Sequence, residues 1–315
     1  VRFCVIGPGA MGCLFAGYLK HAGFDVVLLD RRPERVRVLE NRGIRIEGVR
    51  GEFRAEVQDF LEPERVGPVD VVLVCVKSYD TRTAAEKIRP LVGRDTLVVT
   101  LQNGLGNVEE LALALAGRGN VAAGITAQGA TVLGPGHIRH AGEGETMLGL
   151  PTPDDTSTAR RILLEMVDCF QKAGFVTRVA DQIHNLIWSK LMVNVGINAL
   201  TALTRLRNGD LVLHPESEKL LDQAVGEGLQ VAEASGVRIV FPDPLAQVKN
   251  VCRNTSRNIS SMLQDVLNHK KTEIDYINGA IVREGALRGV PTPVNALFTA
   301  LVRTVQDTYD KQATS

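Results

Sequence analysis

The 315-residue sequence lacks any organised cysteine pattern. Cys4, Cys13, Cys75, Cys169 and Cys252 show no paired or metal-type spacing, and their number is odd. That argues against a disulfide framework and for structural thiols in a reducing, cytoplasmic setting. The six histidines are scattered, so a metal site has little support. Net charge is absent too: Lys plus Arg equals Asp plus Glu at 36 each. Nothing in that balance suggests a nucleic-acid partner or an anionic membrane, and an anionic substrate would have to be met by a local cluster of donors. The apolar run Val71 to Val76 is far too short to span a bilayer. The apolar N-terminus runs at once into a Gly-rich turn, which reads as a strand and not as a signal peptide. No internal repeat or low-complexity tract is visible.

What is present is an alternation of short β-branched runs with amphipathic stretches. The expected strands are Arg2 to Ile6, Val26 to Leu29, Val71 to Val76, Leu97 to Leu101 and Val121 to Ile125. Helical segments are expected near Ala10 to His21, Arg82 to Val92 and Val108 to Leu115. That order implies βαβ units, a mostly parallel doubly wound sheet and helices on both faces. The first, third and fourth strands are nearly all apolar, as strands buried on both faces should be. Gly134 to Leu150 reads as an antiparallel addition to the sheet. After Pro151 and Pro153, a helix near Thr158 to Lys172 and a strand from Phe175 to Val179 complete the first domain. From Asp181 helical periodicity dominates, through segments near 182–203, 212–235, 244–268, 271–288 and 293–312. The expected organisation is an α/β domain over 1–180 and an all-α domain over 181–315.

Gly7, Gly9 and Gly12 form G-x-G-x-x-G directly after a strand and before a helix, a context that points to a Rossmann dinucleotide site spanning Gly7, Pro8, Gly9, Ala10, Met11 and Gly12. The first glycine allows the tight turn, the second lets backbone approach a pyrophosphate, and the third lets helix and strand pack closely. The helix N-terminus then offers free N–H groups to phosphate. The end of the second strand is ambiguous between cofactors. Asp30 could bond the ribose 2′-hydroxyl of NADH, whereas the guanidinium groups of Arg31 and Arg32 suit the 2′-phosphate of NADPH. Lys77 and Gln102-Asn103-Gly104 close two further apolar runs, where ligands of open parallel sheets bind; each alone could equally be an exposed lysine or an Asn-Gly turn.

Lys190, Asn194 and Asn198 recur at i, i+4 and i+8 among apolar residues. At about 100° per residue they share roughly 80° of one helix face. Such a stripe is either exposed or lines a polar pocket, because unpaired buried polar groups are costly. A second row, Asn254, Asn258, Ser261 and Asp265, is expected on one later helix. Thr272-Glu273-Ile274-Asp275-Tyr276 should start a further helical stretch. On their own these last two read as a satisfied polar face and a capping acid.

Five strings taken together resemble the 2-dehydropantoate 2-reductases, or ketopantoate reductases. They are Gly7-Pro-Gly-Ala-Met-Gly12, Gln102-Asn-Gly104, Trp188-Ser-Lys-Leu-Met-Val-Asn194 with Asn198, Asn258-Ile-Ser-Ser-Met-Leu-Gln-Asp265, and Thr272-Glu-Ile-Asp-Tyr-Ile-Asn-Gly279. The match runs in order over nearly the whole chain. The resemblance implies an N-terminal Rossmann domain, a helical C-terminal domain and an active site in the cleft between them. It implies an NADP-dependent oxidoreductase of pantothenate and coenzyme A biosynthesis, in which NADPH reduces 2-dehydropantoate, a small anionic 2-keto acid, to (R)-pantoate. By motif position Lys190 corresponds to the catalytic lysine, acting as general acid, and Glu273 to a conserved-motif glutamate assigned to both catalysis and cofactor. Asn103, Asn194, Asn198, Asn208 and Ser261 correspond to substrate contacts, with Lys190 among them. Arg31, Lys77, Asn103 and Ala130 correspond to cofactor contacts. Asp30 departs from the family pattern and admits NADH beside NADPH. A homodimer is compatible with the sequence. Two rival readings remain open: a reductase of a different small 2-keto acid, and a dinucleotide-binding sensor without turnover.

Overall fold

The fold, taken from a computed structural model, describes residues 1–152 and 157–311. Pro153 and Gln312, which the sequence reading used to bound segments, lie outside the described residues. The chain runs β1 (Arg2–Ile6), α1 (Ala10–His21), β2 (Asp25–Leu29), α2 (Pro33–Arg42), β3 (Ile44–Gly48), β4 (Phe53–Ala55), β5 (Gln58–Phe60) and β6 (Val71–Val74). It continues through α3 (Thr81–Ile88), β7 (Leu97–Thr100), α4 (Asn107–Leu115), β8 (Asn120–Thr126), β9 (Gly129–Gly134), β10 (His137–Gly142) and β11 (Thr146–Gly149). Next come α5 (Thr158–Lys172), β12 (Thr177–Val179), α6 (Ile183–Thr204), α7 (Pro215–Ala234), α8 (Pro244–Asn254), α9 (Ser261–Leu267), α10 (Asn278–Arg288) and α11 (Pro293–Asp307).

The chain divides into two units, Val1–Gln102 with Asn107–Ile183, and Asn103–Gly106 with His184–Ser315. The first is built on an eight-stranded sheet of order β12-β11-β8-β7-β6-β1-β2-β5. Strands β5 through β8 of that sheet, with β1 and β2, pair in parallel, while β11 pairs antiparallel with β8 and carries β12 in parallel beside it, so these two edge strands run against the rest. Two-faced burial explains why β1, β6 and β7 read as nearly continuous apolar runs. Phe3 and Val5 pack into one core cluster and Cys4 and Ile6 into another, all four buried. The chain leaves β1 toward β2 on one side and later returns with β6 on the other. The topological switch therefore lies between β1 and β6, the place where open α/β sheets bind ligands.

The segment 134–150 departs from expectation. Only β11 extends the main sheet as an antiparallel strand. Strand β10 instead joins a second sheet of order β4-β3-β10-β9, pairing in parallel with β3 and antiparallel with β9. The cause is a buried polar network. His140 on β10 is fully buried, with its ring nitrogens on the Tyr18 hydroxyl at 3.1 Å and the Gln128 side-chain carbonyl at 2.8 Å. This draws the hairpin onto α1 and away from the main sheet. The partners β3 and β4, together with α2 and β5, lie in residues 33–60, which carry charge-rich, weakly periodic sequence and had no expected elements.

The second unit is helical, with no strand among its described residues. Helix α6 is long and apolar enough to cross a membrane by length and composition, but it is largely buried inside the protein. Trp188, Leu191, Met192, Val195 and Leu200 anchor its core cluster, so it reads as a core helix. The expected single helix over 244–268 is two helices. Helix α8 ends at Asn254, and α9 starts only at Ser261, capped by the Ser260 hydroxyl accepting from the Leu263 N–H at 3.1 Å. The intervening carbonyls are used elsewhere: those of Ser256 and Asn258 accept from the N–H groups of Gly209 and Asn208. The row Asn254, Asn258, Ser261 and Asp265 therefore has helical spacing without a common helix. Likewise 271–288 opens with a 3-10 turn, Ile274–Tyr276, before α10 begins at Asn278.

Candidate active site

The glycine turn after β1 shows three different environments. Gly7 has φ +87°, and a Cβ there would lie 2.7 Å from Val76 Cγ1 and 2.8 Å from the Val76 nitrogen. A Cβ on Gly12 would fall onto the Gly7 carbonyl oxygen. Gly9 is the exception: a Cβ there meets nothing within 4 Å. The outer glycines are thus demanded by the chain's own packing, while the middle one borders open space. Helix α1 begins immediately after it, with no side-chain cap and no acidic residue in its first turn. Its first intrahelical bond is Cys13 N–H to the Gly9 carbonyl at 2.9 Å, so the N–H groups of Ala10, Met11 and Gly12 precede any helical acceptor. Pro8 is buried, and its carbonyl accepts from Cys13 Sγ at 3.3 Å, which fixes the turn from behind. Open space beside uncapped helix N–H groups fits a pyrophosphate.

Around this turn the strand ends supply polar groups. Asp30 is buried, its side chain 1% exposed. Its Oδ1 accepts from the N–H groups of Arg31 at 2.6 Å and Arg32 at 3.2 Å and from Arg35 Nη2 at 2.6 Å, while Oδ2 accepts from Arg35 Nε. Arg31 makes two contacts of 2.9 Å to the Asp80 carboxylate, with its own side chain 56% exposed. Lys77, half-buried, follows β6 and caps the 3-10 turn Ser78–Asp80. Gln102 is a brace: its amide donates to the Val76 carbonyl at 2.9 Å and the Thr81 hydroxyl at 2.8 Å. Ala130 lies on β9 opposite His140 and packs against the first unit's core.

The other named residues fall in the second unit. Asn103 enters it with Leu105, whose N–H donates to the Tyr276 carbonyl at 2.9 Å. Gly104 (φ +85°) rests on Tyr276, where its absent side chain permits the contact. Glu273, buried, sits at the head of that same turn, its carbonyl accepting from Tyr276 N–H at 3.0 Å. Lys190 on α6 is half-buried. Burial pushes its ammonium down from 10.5 to about 8, with the Glu273 charge pulling the other way. The acid therefore offsets only part of the desolvation, and the lysine is poised near neutrality. Asn194 is half-buried and Asn198 buried on the same helix. The side chains of Lys190, Asn194 and Asn198 have no hydrogen-bond partner among the described residues, which leaves one charge and two amides uncommitted along a single stripe.

One turn beyond Asn198, the Thr201 hydroxyl meets the Ser260 hydroxyl at 2.6 Å and pins the start of α9 to α6. Ser261, exposed, is the first residue of α9. Asn208 ties the neighbouring loop, its N–H donating to the Asn258 carbonyl at 3.1 Å and its amide to the Thr255 hydroxyl at 2.9 Å. Its Oδ1 is buried and unpaired among the described residues. The second unit thus gathers Asn103, Lys190, Asn194, Asn198, Asn208, Ser261 and Glu273, while Gly7 to Gly12, Arg31, Lys77 and Ala130 belong to the first.

Sequence reasoning missed two supporting residues. Asn278 donates to the Val195 carbonyl of α6 at 3.2 Å and to Asn295 at 3.0 Å, which makes it a strut behind the lysine helix. It stood inside the quoted Thr272–Gly279 string without a role. Arg35, the partner of Asp30, lies in residues 33–60, where no element was expected.

Comparison with known proteins accords with this geometry. Residues 3–152 match the model of the family described as ketopantoate reductase PanE/ApbA, and residues 182–306 match its C-terminal model. The chain belongs to the ketopantoate reductase family. A 2-dehydropantoate 2-reductase from Halobacterium salinarum is 37% identical over 311 residues, covering 97% of this chain and 99% of that protein. Another from Archaeoglobus fulgidus is 34% identical, covering 97% and 98%. Among solved structures, a PanE/ApbA family ketopantoate reductase from Ralstonia eutropha JMP134 superposes with TM-score 0.89 at 34% identity, covering 98% of this chain and all of that one. A D-mandelate dehydrogenase, solved with NADH and anilino(oxo)acetate, gives TM-score 0.91 at 27% identity, covering 98% and 100%. Membership of this family places the chain among the pyridine-nucleotide-dependent reductases of keto acids.

Proposed function

We propose that the protein is an NADPH-dependent 2-dehydropantoate 2-reductase with Lys190 as its general acid. The observation that carries the reading is the half-buried ammonium of Lys190, without a hydrogen bond among the described residues, lowered to about 8 and set in line with two asparagine amides equally uncommitted there. NADPH, when bound, supplies a hydride to the keto carbon. The chain's own residues then manage charge and position. Reduction builds negative charge on the keto oxygen, and Lys190 donates the proton that neutralises it. A donor lowered to about 8 is still about 90% protonated at pH 7, yet gives its proton up more readily than an ordinary lysine. Asn194, Asn198, Asn103 and Ser261 offer neutral donors to the carboxylate and hydroxyl of the substrate, and Asn208 shapes the loop beside them. Glu273 keeps the lysine's fall from going further.

Gly7 to Gly12 would hold the pyrophosphate, with Ala10 and Met11 at the helix N-terminus. Arg31 and Lys77 would hold the adenosine side, and Ala130 would lie beside the cofactor. The Arg31–Asp80 pair is solvent-facing, the kind worth about 0–1 kcal/mol, so exchanging it for a 2′-phosphate costs little. Lys190→Ala should lower kcat by about two orders of magnitude or more while the NADPH Kd stays nearly constant. Near-normal turnover in that variant would remove Lys190 from the reaction.

One observation favours a second reading. A solved D-mandelate dehydrogenase resembles this chain in fold as closely as the ketopantoate reductase does. A reductase of a bulkier 2-keto acid would use the same lysine and the same fold.

A further inference from the structure

The end of β2 carries an acid where NAD-linked sites place the carboxylate that accepts the ribose 2′-hydroxyl. In this chain that acid is occupied. Both oxygens of Asp30 are taken by the Arg35 fork, through Nε to Oδ2 and Nη2 to Oδ1 at 2.6 Å, and Oδ1 also receives the N–H groups of Arg31 and Arg32. The side chain is 1% exposed, so no oxygen faces a ligand. Lys87 Nζ adds a further cation on the Asp30 backbone carbonyl at 2.7 Å. A second acid near Arg35, Asp59, does not divert it: among the described residues neither Asp59 oxygen is hydrogen-bonded to the guanidinium. Burial and the charge of Asp30 push the Asp59 carboxyl up to about 7. The guanidinium of Arg35 is therefore committed to Asp30.

We propose that Arg35 sets the cofactor preference of this chain by holding Asp30 inside the fold, so that the acid neither accepts the 2′-hydroxyl of NADH nor repels the 2′-phosphate of NADPH. Arg35 is a positioning residue that acts through Asp30, leaving Arg31 as the group at the strand end that meets phosphate. The same acid would be a discriminator against NADPH in a chain lacking the arginine. Buried and bidentate, the pair turns a sequence mark of NADH use into part of a phosphate-tolerant surface. Arg35 sits on the first turn of α2, a short step along the chain from Asp30, so one substitution separates the two states.

This inference rests on the proposed NADPH reading of the first unit. Its test is binding, which needs no keto acid. NADPH and NADH are titrated by nicotinamide fluorescence into the full-length wild type, Arg35→Gln, and the double variant Asp30→Asn with Arg35→Gln. Arg35→Gln should weaken NADPH about tenfold or more and tighten NADH several-fold, because a released carboxylate repels the phosphate and accepts the hydroxyl. The double variant, having no carboxylate to release, should recover NADPH affinity and lose the gain for NADH. Parallel weakening of both cofactors without recovery in the double variant, or no change in either, would overturn the role given to Arg35. A wild type that binds neither cofactor would sink this inference and the underlying reading together, whereas tight NADPH binding with no reduction of 2-dehydropantoate would count against the substrate alone.

Discussion

Replacing Lys190 by methionine should make the second unit more stable while removing its activity. The ammonium is lowered from 10.5 to about 8 by burial, against the opposing pull of Glu273. At about 1.4 kcal/mol per pH unit the drop corresponds to roughly 3 kcal/mol of native-state cost for the charged form. Lys190 keeps part of its surface in water, so we expect about 1–2 kcal/mol after solvent screening. The sign follows from proton counting. Between pH 8 and 10.5 the unfolded chain holds a proton on this amine that the folded chain has lost, so stability rises with pH across that window. The cost is fully present below pH 8 and gone above 10.5. Trp188, the only tryptophan, is buried on α6 two residues before the lysine, so its fluorescence reports this unit in urea unfolding. The Lys190→Met variant should exceed wild type near neutral pH, with the gap shrinking as pH climbs through that window. A variant less stable than wild type near neutrality, or a gap indifferent to pH, would refute the reasoning.

Other expectations follow from the same geometry. The reductive kcat/KM should fall as pH rises through about 8, where Lys190 loses its proton, and a pH-rate profile without that limb would assign the acid elsewhere. Arg31→Ala should weaken NADPH far more than NADH in parallel Kd measurements, since its guanidinium would read only the 2′-phosphate; equal losses would count against that assignment. Gly9→Ala should fold like wild type and bind NADPH more weakly, because its Cβ enters open space, whereas Gly12→Ala should lower Tm because its Cβ meets the Gly7 carbonyl. Ser260→Ala should cost about 1 kcal/mol of second-unit stability in urea unfolding through the lost α9 cap; an unchanged midpoint would show that the cap is not needed.

How far the chain could be read in advance depended on where its signals were local. Strands β1, β6 and β7 announced themselves because burial on both faces makes them apolar runs. Helix α1 was marked by the glycine turn directly before it. Residues 33–60 gave no comparable signal. Strands β3 to β5 are three to five residues long and take their places from distant partners: β3 and β4 join β10, whose His140 is held by Tyr18, and β5 pairs with β2. The Asn254 to Asp265 row misled for a related reason: regular spacing survives a chain break, and only the Ser260 cap reveals the break. At the site, the polar stripe of α6 was visible as an anomaly among apolar neighbours. The Asp30 question was visible too, but its resolution was not, because a sequence shows two charges and not which atoms they bind.

The most direct test follows nicotinamide absorbance as the purified protein is offered NADPH with 2-dehydropantoate, pyruvate, 2-oxoisovalerate and phenylglyoxylate in turn. The account predicts a kcat/KM for 2-dehydropantoate well above those of the other three, and a far smaller rate with NADH. Comparable poor rates on all four acids, or a clear preference for phenylglyoxylate with NADH, would contradict it.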